Sequence, residues 1–148
     1  RFCAHNIGQT AMTGSQRLRI TTGSTHSGLD RLIDQAHSFA SEQLNGKRDE
    51  THRAKLLINE IVVNAVKHGN QFDGGKEVQI DIDVCDHRVD IRVEDEGHGF
   101  DPESVPDPCT RDNMHREHGR GLFMVQSLAD EFCVEQGGRR VCVAIHRG

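Results

Sequence analysis

Between Glu60 and His68 the sequence places a carboxylate, an amide, an ammonium and an imidazole group at helical spacing. A helix advances about 100° per residue, which puts Asn64, Lys67 and His68 within about 80° of Glu60. The apolar residues of the segment cluster on the adjacent face: Ile58, Ile61, Val62 and Ala65. Asn64 is a poor mid-helix residue, and one turn from a carboxylate it could ligate a metal ion. A solvated amphipathic helix shows a similar polar face, so this pattern alone leaves both interpretations open.

Two glycine-containing motifs could bind the rest of a ligand. In Asp95–Pro102, Gly97 and Gly99 let a backbone approach a flat group closely, and an ionised Asp95 could accept a hydrogen bond from an amine such as that of adenine. In His118–Leu122, glycines at a helix start present N–H groups to an anion. Alone, the first motif is equally typical of an ordinary hairpin exit, and the second is equally typical of a flexible helix start.

The elements that must position these motifs follow from periodicity. Alternating apolar residues predict strands, and apolar residues at helical spacing predict helices. We expect strands over 17–22, 77–85, 89–95, 132–136 and 140–146, and helices over 26–44, 49–68 and 121–131. The short links at 86–88 and 137–138 predict two hairpins. The expected fold is α+β, a two-layer α/β sandwich with a mostly antiparallel mixed sheet and about three helices on one face.

Composition narrows the class of protein. The chain has 148 residues, 34% of them hydrophobic and 28% charged, which predicts one soluble globular domain. Its net charge of −5 argues against a general nucleic-acid binder. The apolar runs are too short to span a membrane, and no signal peptide is visible, so a cytoplasmic protein without a membrane partner is expected. The five cysteines form no CxxC pair, which favours buried or incidental thiols.

The order of the three motifs resembles the GHKL superfamily of gyrase, histidine kinases and MutL. Glu60–Asn70 matches its N box, Asp95–Pro102 its G1 box and Gly119–Leu122 its G2 box, and the similarity runs from about Arg17 to Arg147. The resemblance implies the Bergerat ATP-binding fold as a single domain over 1–148, with a loose tail at 1–16 and an ATP lid at 101–118.

Within this superfamily the chain looks most like the anti-sigma factor serine/threonine kinases. Gly99–Pro102 has that family's GFDP form, and Val105–Pro108 and the stretch 116–131 (REHGRGLFMVQSLADE) also read like it. Histidine kinases usually carry an F box in the lid, whereas here no Phe lies between Phe100 and Phe123.

The resemblance implies a role for each matching residue. Glu60 would be the general base, Asn64 would ligate Mg²⁺, and Asp95 would accept from the adenine amine of ATP. The remaining positions expected to bind the nucleotide are Lys67, His68, Gly97, Gly99, Phe100, Gly119, Arg120, Gly121 and Leu122. Among these, Gly119, Arg120 and Gly121 would cradle the phosphates.

The implied activity is ATP-dependent phosphorylation of a serine or threonine on a STAS-domain antagonist, with a sigma factor as the competing partner. The family often forms homodimers, which leaves a homodimer open. Two alternatives remain: a nucleotide-binding anti-sigma module without kinase activity, and the catalytic domain of a sensor histidine kinase. Glu60 argues against the first, and the missing F box and phospho-acceptor helices argue against the second.

Overall fold

The computed structural model describes residues 14–99 and 117–148, and for 117–121 it describes only the backbone. Phe100, nearly all of the expected lid and most of the expected tail lie outside the described residues. The elements in chain order are strand β1 (Gln16–Gly23), helix α1 (His26–Gln43), helix α2 (Arg48–Val63), a π-helical turn (Asn64–Gly69), strands β2 (Glu77–Val84) and β3 (Arg88–Glu94), helix α3 (Glu117–Leu128), and strands β4 (Glu131–Glu135) and β5 (Arg140–His146).

The five strands form one sheet in the order β1-β2-β3-β5-β4, in which every neighbouring pair is antiparallel. The predicted α+β class and both hairpins, β2–β3 and β4–β5, are confirmed. No parallel pair occurs among the described strands, so this part of the sheet is antiparallel rather than mixed. Ile80 lies opposite both Ile20 and Val93, and this register brings apolar side chains of successive strands onto one face.

The three helices cover that apolar face, as predicted. Buried apolar and partly exposed polar residues alternate along β2 and β3, because successive side chains of a strand point to opposite faces. Helix α2 lies between α1 and α3 and packs on β3 and β5. The largest fully buried side chains come from both layers, including Leu32, Leu57, Ile58, Ile61, Ile80, Ile91 and Ile145. Among residues 14–99 and 117–148, no helix is long and apolar enough to cross a membrane.

The other face of the sheet carries ion pairs between neighbouring strands. Arg19 contacts Asp81 at 2.5 Å, Asp81 lies 3.5 Å from Arg92, and Arg140 contacts Glu94 at 2.8 Å. Partly exposed pairs of this kind add little stability. Their pairing of opposite charges on adjacent strands favours the observed register over one that would juxtapose like charges.

The expected boundaries of α3 were wrong at both ends. The helix begins at Glu117, inside the predicted lid, and ends at Leu128, before β4 begins at Glu131. Its end is fixed by distant groups: the Arg53 guanidinium donates to the Leu128 carbonyl oxygen at 2.5 and 3.1 Å, and the Asp130 N–H donates to the Ala144 carbonyl. Arg53 and Ala144 lie far from residue 128 in the sequence, so the local pattern could not predict where the helix ends.

The cysteines of the sheet provide a test of this fold. Cys133 and Cys142 lie opposite each other on β4 and β5 and are buried, and burial raises the pKa of the Cys142 thiol to about 12. Because the thiolate is the reactive form, we expect iodoacetamide at about pH 8 to modify the half-buried Cys85 at least ~10 times faster than Cys142. Peptide mass spectrometry measures both rates, and equal rates in the native protein would contradict the burial of β5.

Candidate functional site

The segment that holds Asn64 is a π-helical turn. The α-helical geometry ends at Val63, and the Asn70 N–H then donates to the Ala65 carbonyl five residues earlier, at 2.8 Å. The expectation of one α-helix to residue 68 was therefore wrong. The wheel positions of Lys67 and His68 change accordingly, since an i to i+5 turn is wider than an α turn. Such turns are rare and occur frequently at functional sites.

A cavity of about 340 Å³ opens beside this turn, between α2, α3 and the ends of β3 and β5. Its volume falls in the range of small-molecule sites, and its walls are mostly apolar with a few polar groups, as such sites usually are. The described residues that line it are Ile61, Asn64, Ala65, His68, Gly69, Val93, Asp95, Gly99, Leu122, Gly138 and Val141.

Asp95 directly follows β3 and is held from both directions. Its N–H donates to the Arg139 carbonyl at 2.9 Å, and its Oδ1 accepts from the Gly97 N–H at 2.8 Å. Burial raises the pKa of this carboxyl, against the opposing effects of the Gly97 N–H and the Arg139 charge. Because Asp95 lines the cavity, its carboxylate offers a fixed hydrogen-bond acceptor there.

Gly69 and Gly97 pack against each other next to Asp95. A Cβ on Gly97 would lie 2.6 Å from the Gly69 carbonyl carbon and closer to its oxygen, and a Cβ on Gly69 would lie 2.5 Å from the Asp95 Cγ. Gly99 has a φ of +80° and packs on Gly137. These glycines allow close backbone contacts between the loops that surround the cavity, and their predicted approach to a flat ligand stays a prediction.

Asn64 has an unpaired polar group at the cavity. Its Nδ2 is buried and has no hydrogen-bond partner in the part of the chain that the structure describes. Buried amides are normally paired, so a donor without a partner at a cavity wall is available to a bound ligand. An Asn side chain also offers a carbonyl oxygen, a ligand that Mg²⁺ accepts. Together with the acceptor of Asp95, this donor set fits ATP with Mg²⁺.

Comparison with known proteins identifies the family. The family model described as "Histidine kinase-like ATPase domain" matches residues 24–146. The chain belongs to this family. The resemblance to GHKL proteins inferred from the three motifs is thus confirmed.

Two curated relatives of this histidine kinase-like ATPase domain carry a specific name. Serine-protein kinase RsbW from Staphylococcus aureus strains JH9 and Newman is 32% identical to it over 93 residues. The match covers 58% of this chain and 58% of each relative, so the chain spans little more than half of their length. The crystal structure of the RsbU and RsbW domains of Rv1364c from Mycobacterium tuberculosis matches with a TM-score of 0.55 at 18% identity, over 89% of this chain and 31% of that one. This structural likeness shows the shared fold.

The structure of this ATPase domain brings together part of the predicted site. Of the predicted residues, the cavity is lined by Asn64, His68, Asp95, Gly99 and Leu122. Gly97 does not line it but donates its N–H to the Asp95 carboxylate. Glu60 and Lys67 are not among the described residues that line it. Glu60 is half-buried on α2, one turn before Asn64, and Lys67 lies in the π-helical turn.

The glycines of the third motif lie inside α3 rather than before it. The helix begins two residues ahead of Gly119. Because the unpaired N–H groups of a helix belong to its first turn, Gly119 and Arg120 fall among them, whereas Gly121 lies at the start of the second turn. The expected helix start at residue 121 was therefore four residues too late.

Several residues of the site were given no role from the sequence. Gly69 belongs to the N-box match but was given no role there, although it contacts Asp95. Gly138 and Val141 line the cavity because β5 pairs with β3, a contact without any local signal. Asn70 belongs to the N-box match, and its position directly after Lys67–Gly69 was the one available clue.

Proposed function

We propose that this domain binds ATP with Mg²⁺ in the cavity and transfers the terminal phosphoryl group to a serine or threonine of a STAS-domain anti-sigma antagonist. A sigma factor is the competing partner, in the cytoplasm, and the kinase acts alone or as a homodimer. The observation that carries the proposal is the single cavity that unites Asn64 and Asp95 within a histidine kinase-like ATPase domain. The name of the curated relatives, serine-protein kinase, supports the choice of acceptor.

Each end of the nucleotide has a matching group in the cavity. The Asp95 carboxylate accepts from the exocyclic amine of adenine, while the apolar Val93 and Val141 contact the base. Asn64 lines the same cavity, where its amide oxygen would hold Mg²⁺ and its buried Nδ2 would donate to a phosphate oxygen. The ion would neutralise phosphate charge when bound.

Glu60 completes the chemistry as the general base. The acceptor hydroxyl oxygen forms a bond to the terminal phosphorus, the bond from that phosphorus to the bridging oxygen of ADP breaks, and the hydroxyl proton passes to the Glu60 carboxylate. Phosphoryl transfer depends mainly on positioning and charge compensation. The backbone bond from the Asn64 N–H to the Glu60 carbonyl keeps the base and the metal-binding amide one turn apart on a rigid segment.

Nucleotide binding is tested by thermal shift with ATP, ADP and GTP, each with and without Mg²⁺. A ligand that binds only the folded state raises the melting temperature, so we expect a Mg²⁺-dependent shift that adenine nucleotides produce and GTP does not. No shift with any nucleotide would overturn the proposed site.

Transfer is tested with γ-labelled ATP and a purified STAS-domain antagonist. We expect label on the antagonist that survives acid, because phosphoserine and phosphothreonine are acid-stable and phosphohistidine is not. Acid-labile product would indicate a histidine kinase, and tight nucleotide binding without any transfer would indicate a binding module. Release of a bound sigma factor on addition of unphosphorylated antagonist tests the competition between the two partners.

Asn64→Ala is expected to remove the Mg²⁺ dependence of ATP binding. The substitution deletes both the proposed metal ligand and the orphaned donor, so affinity for ATP in the presence of Mg²⁺ should fall roughly tenfold or more, to its value without Mg²⁺. Titration calorimetry with and without Mg²⁺ measures both constants. Asn59→Ala is the matched control: Asn59 on α2 also has a buried amide atom without a partner among residues 14–99 and 117–148, but it does not line the cavity.

A further inference from the structure

We propose that Asn70 is a positioning residue that holds Asp95 in place and thereby sets the preference of the site for adenine. The inference rests on the proposed function, since it concerns the base end of the same nucleotide. Asn70 itself does not line the cavity and is 1% exposed. It therefore acts through the backbone that it binds and not through contact with the ligand.

The Asn70 side chain joins three segments that are distant in sequence. Its Nδ2 donates to the Ser24 Oγ at 2.7 Å and to the Glu77 carbonyl oxygen at 2.9 Å. Its Oδ1 accepts from the Glu96 N–H at 2.9 Å. The amide thus connects the turn before α1, the first residue of β2 and the loop that follows β3. Both Nδ2 hydrogens have an acceptor and Oδ1 has a donor, so this buried amide is paired at both ends.

This arrangement holds Asp95 on two sides. Glu96 directly follows Asp95, and its N–H donates to the Asn70 side chain. The Glu96 carboxylate additionally accepts from the Glu77 N–H at 2.7 Å. The residue directly before Asn70 is Gly69, against which the Asp95 carboxyl packs. One side chain therefore sets the distance between the end of the π-helical turn and the loop, and the Asp95 carboxylate lies in that space.

The position requires an amide in particular. One end of the side chain must donate to a backbone carbonyl and the other must accept from a backbone N–H. A carboxylate of the same shape can accept from Glu96 but repels the carbonyl of Glu77, and a hydrocarbon leaves both backbone groups buried and unpaired, which is costly. Asn70→Asp is therefore the sharpest variant, since it changes the bonding and hardly changes the volume.

The experiment compares the affinities of ATP and inosine triphosphate, measured by titration calorimetry on the full chain with Mg²⁺. Inosine triphosphate has a carbonyl oxygen in place of the 6-amino group, so the donor at position 6 that Asp95 would accept from is replaced by an acceptor. Hydrogen bonds to charged groups account for roughly tenfold to hundredfold in affinity, and we expect the wild type to prefer ATP by such a factor. In Asn70→Asp this preference should fall to within about threefold of unity, with little change for inosine triphosphate.

A double-mutant cycle distinguishes positioning from general weakening. If Asn70 acts through Asp95, adding Asn70→Asp to Asp95→Ala should not reduce the ATP preference further, because interacting residues are non-additive. Val84→Ala is the stability control: it truncates a buried residue at the far end of β2 and should lower the melting temperature while keeping the preference. Should Asn70→Asp not fold, Ser24→Ala removes one acceptor of the amide and should reduce the preference about threefold.

The outcomes separate the two proposals. A wild type that binds neither triphosphate, or binds both equally, contradicts the proposed adenine site. A wild type that prefers ATP, with the preference unchanged in the folded Asn70 or Ser24 variant, overturns the role of Asn70 alone. Loss of the preference in Val84→Ala as well would show that any destabilisation has this effect, and would equally overturn the role of Asn70.

Discussion

Glu60→Gln is expected to slow phosphoryl transfer by orders of magnitude while ATP binding persists. The Glu60 side chain makes no hydrogen bond or ion pair within the part of the chain that the structure describes, so glutamine, which has the same shape, should not disturb the fold. Glutamine cannot accept the proton of the attacking hydroxyl, and a general base typically contributes 10²–10⁴-fold. We therefore expect the single-turnover rate with γ-labelled ATP to fall by about 10²–10⁴, and the dissociation constant of ATP to change less than about twofold.

Glu42→Gln is the matched control for this variant. It removes an exposed carboxylate from α1, away from the cavity, and should leave both transfer and binding unchanged. Near wild-type transfer by Glu60→Gln would show that another group is the base. Loss of ATP binding together with transfer would show that Glu60 holds the nucleotide and is not specific to the transition state.

The sheet and the helices were predictable because their signals are local. Alternation along residues 77–85 and 89–95 reflects one face packed on helices and one in solvent, and the observed strands β2 and β3 differ from these ranges by one residue at most. The helical spacing of Leu29, Leu32 and Ala36 likewise placed α1. In each case the burial of one face determines the structure, and it produces a periodic apolar pattern in neighbouring residues.

The wall of the cavity was less predictable because it depends on distant backbone contacts. Asp95 could be chosen from its motif, but Arg139, which binds its N–H, comes from the β4–β5 hairpin. The π-helical turn is closed through Asn70, whose side chain finds its three partners 7 to 46 residues away. The apolar pattern continues through residue 66 and is compatible with either an α-helix or a π-helical turn. The periodicity therefore does not reveal the change of helix type.

Gly97→Ala is expected to weaken ATP binding strongly through a displacement of Asp95, since Gly97 itself is not among the described residues that line the cavity. The added Cβ would lie 2.6 Å from the Gly69 carbonyl carbon and closer to its oxygen, so either the π-helical turn or the loop after β3 must move. Both alternatives displace the Asp95 carboxylate, which packs on Gly69 and accepts from the Gly97 N–H. Loss of a hydrogen bond to a charged group costs about 1.5–3 kcal/mol, which corresponds to roughly tenfold to hundredfold in the dissociation constant.

Gly75→Ala is the matched control, because it makes the same chemical change in an exposed loop. There the nearest atom to an added Cβ is a side-chain oxygen of Asp73 at 3.3 Å, which can move aside, so ATP affinity should stay within about twofold of wild type. Comparing ATP with inosine triphosphate localises the effect of Gly97→Ala: the loss should be confined to ATP if the displaced group is Asp95. An equal loss for both triphosphates would instead mean that the contact between Gly69 and Gly97 supports the phosphate end, through the π-helical turn that holds Asn64.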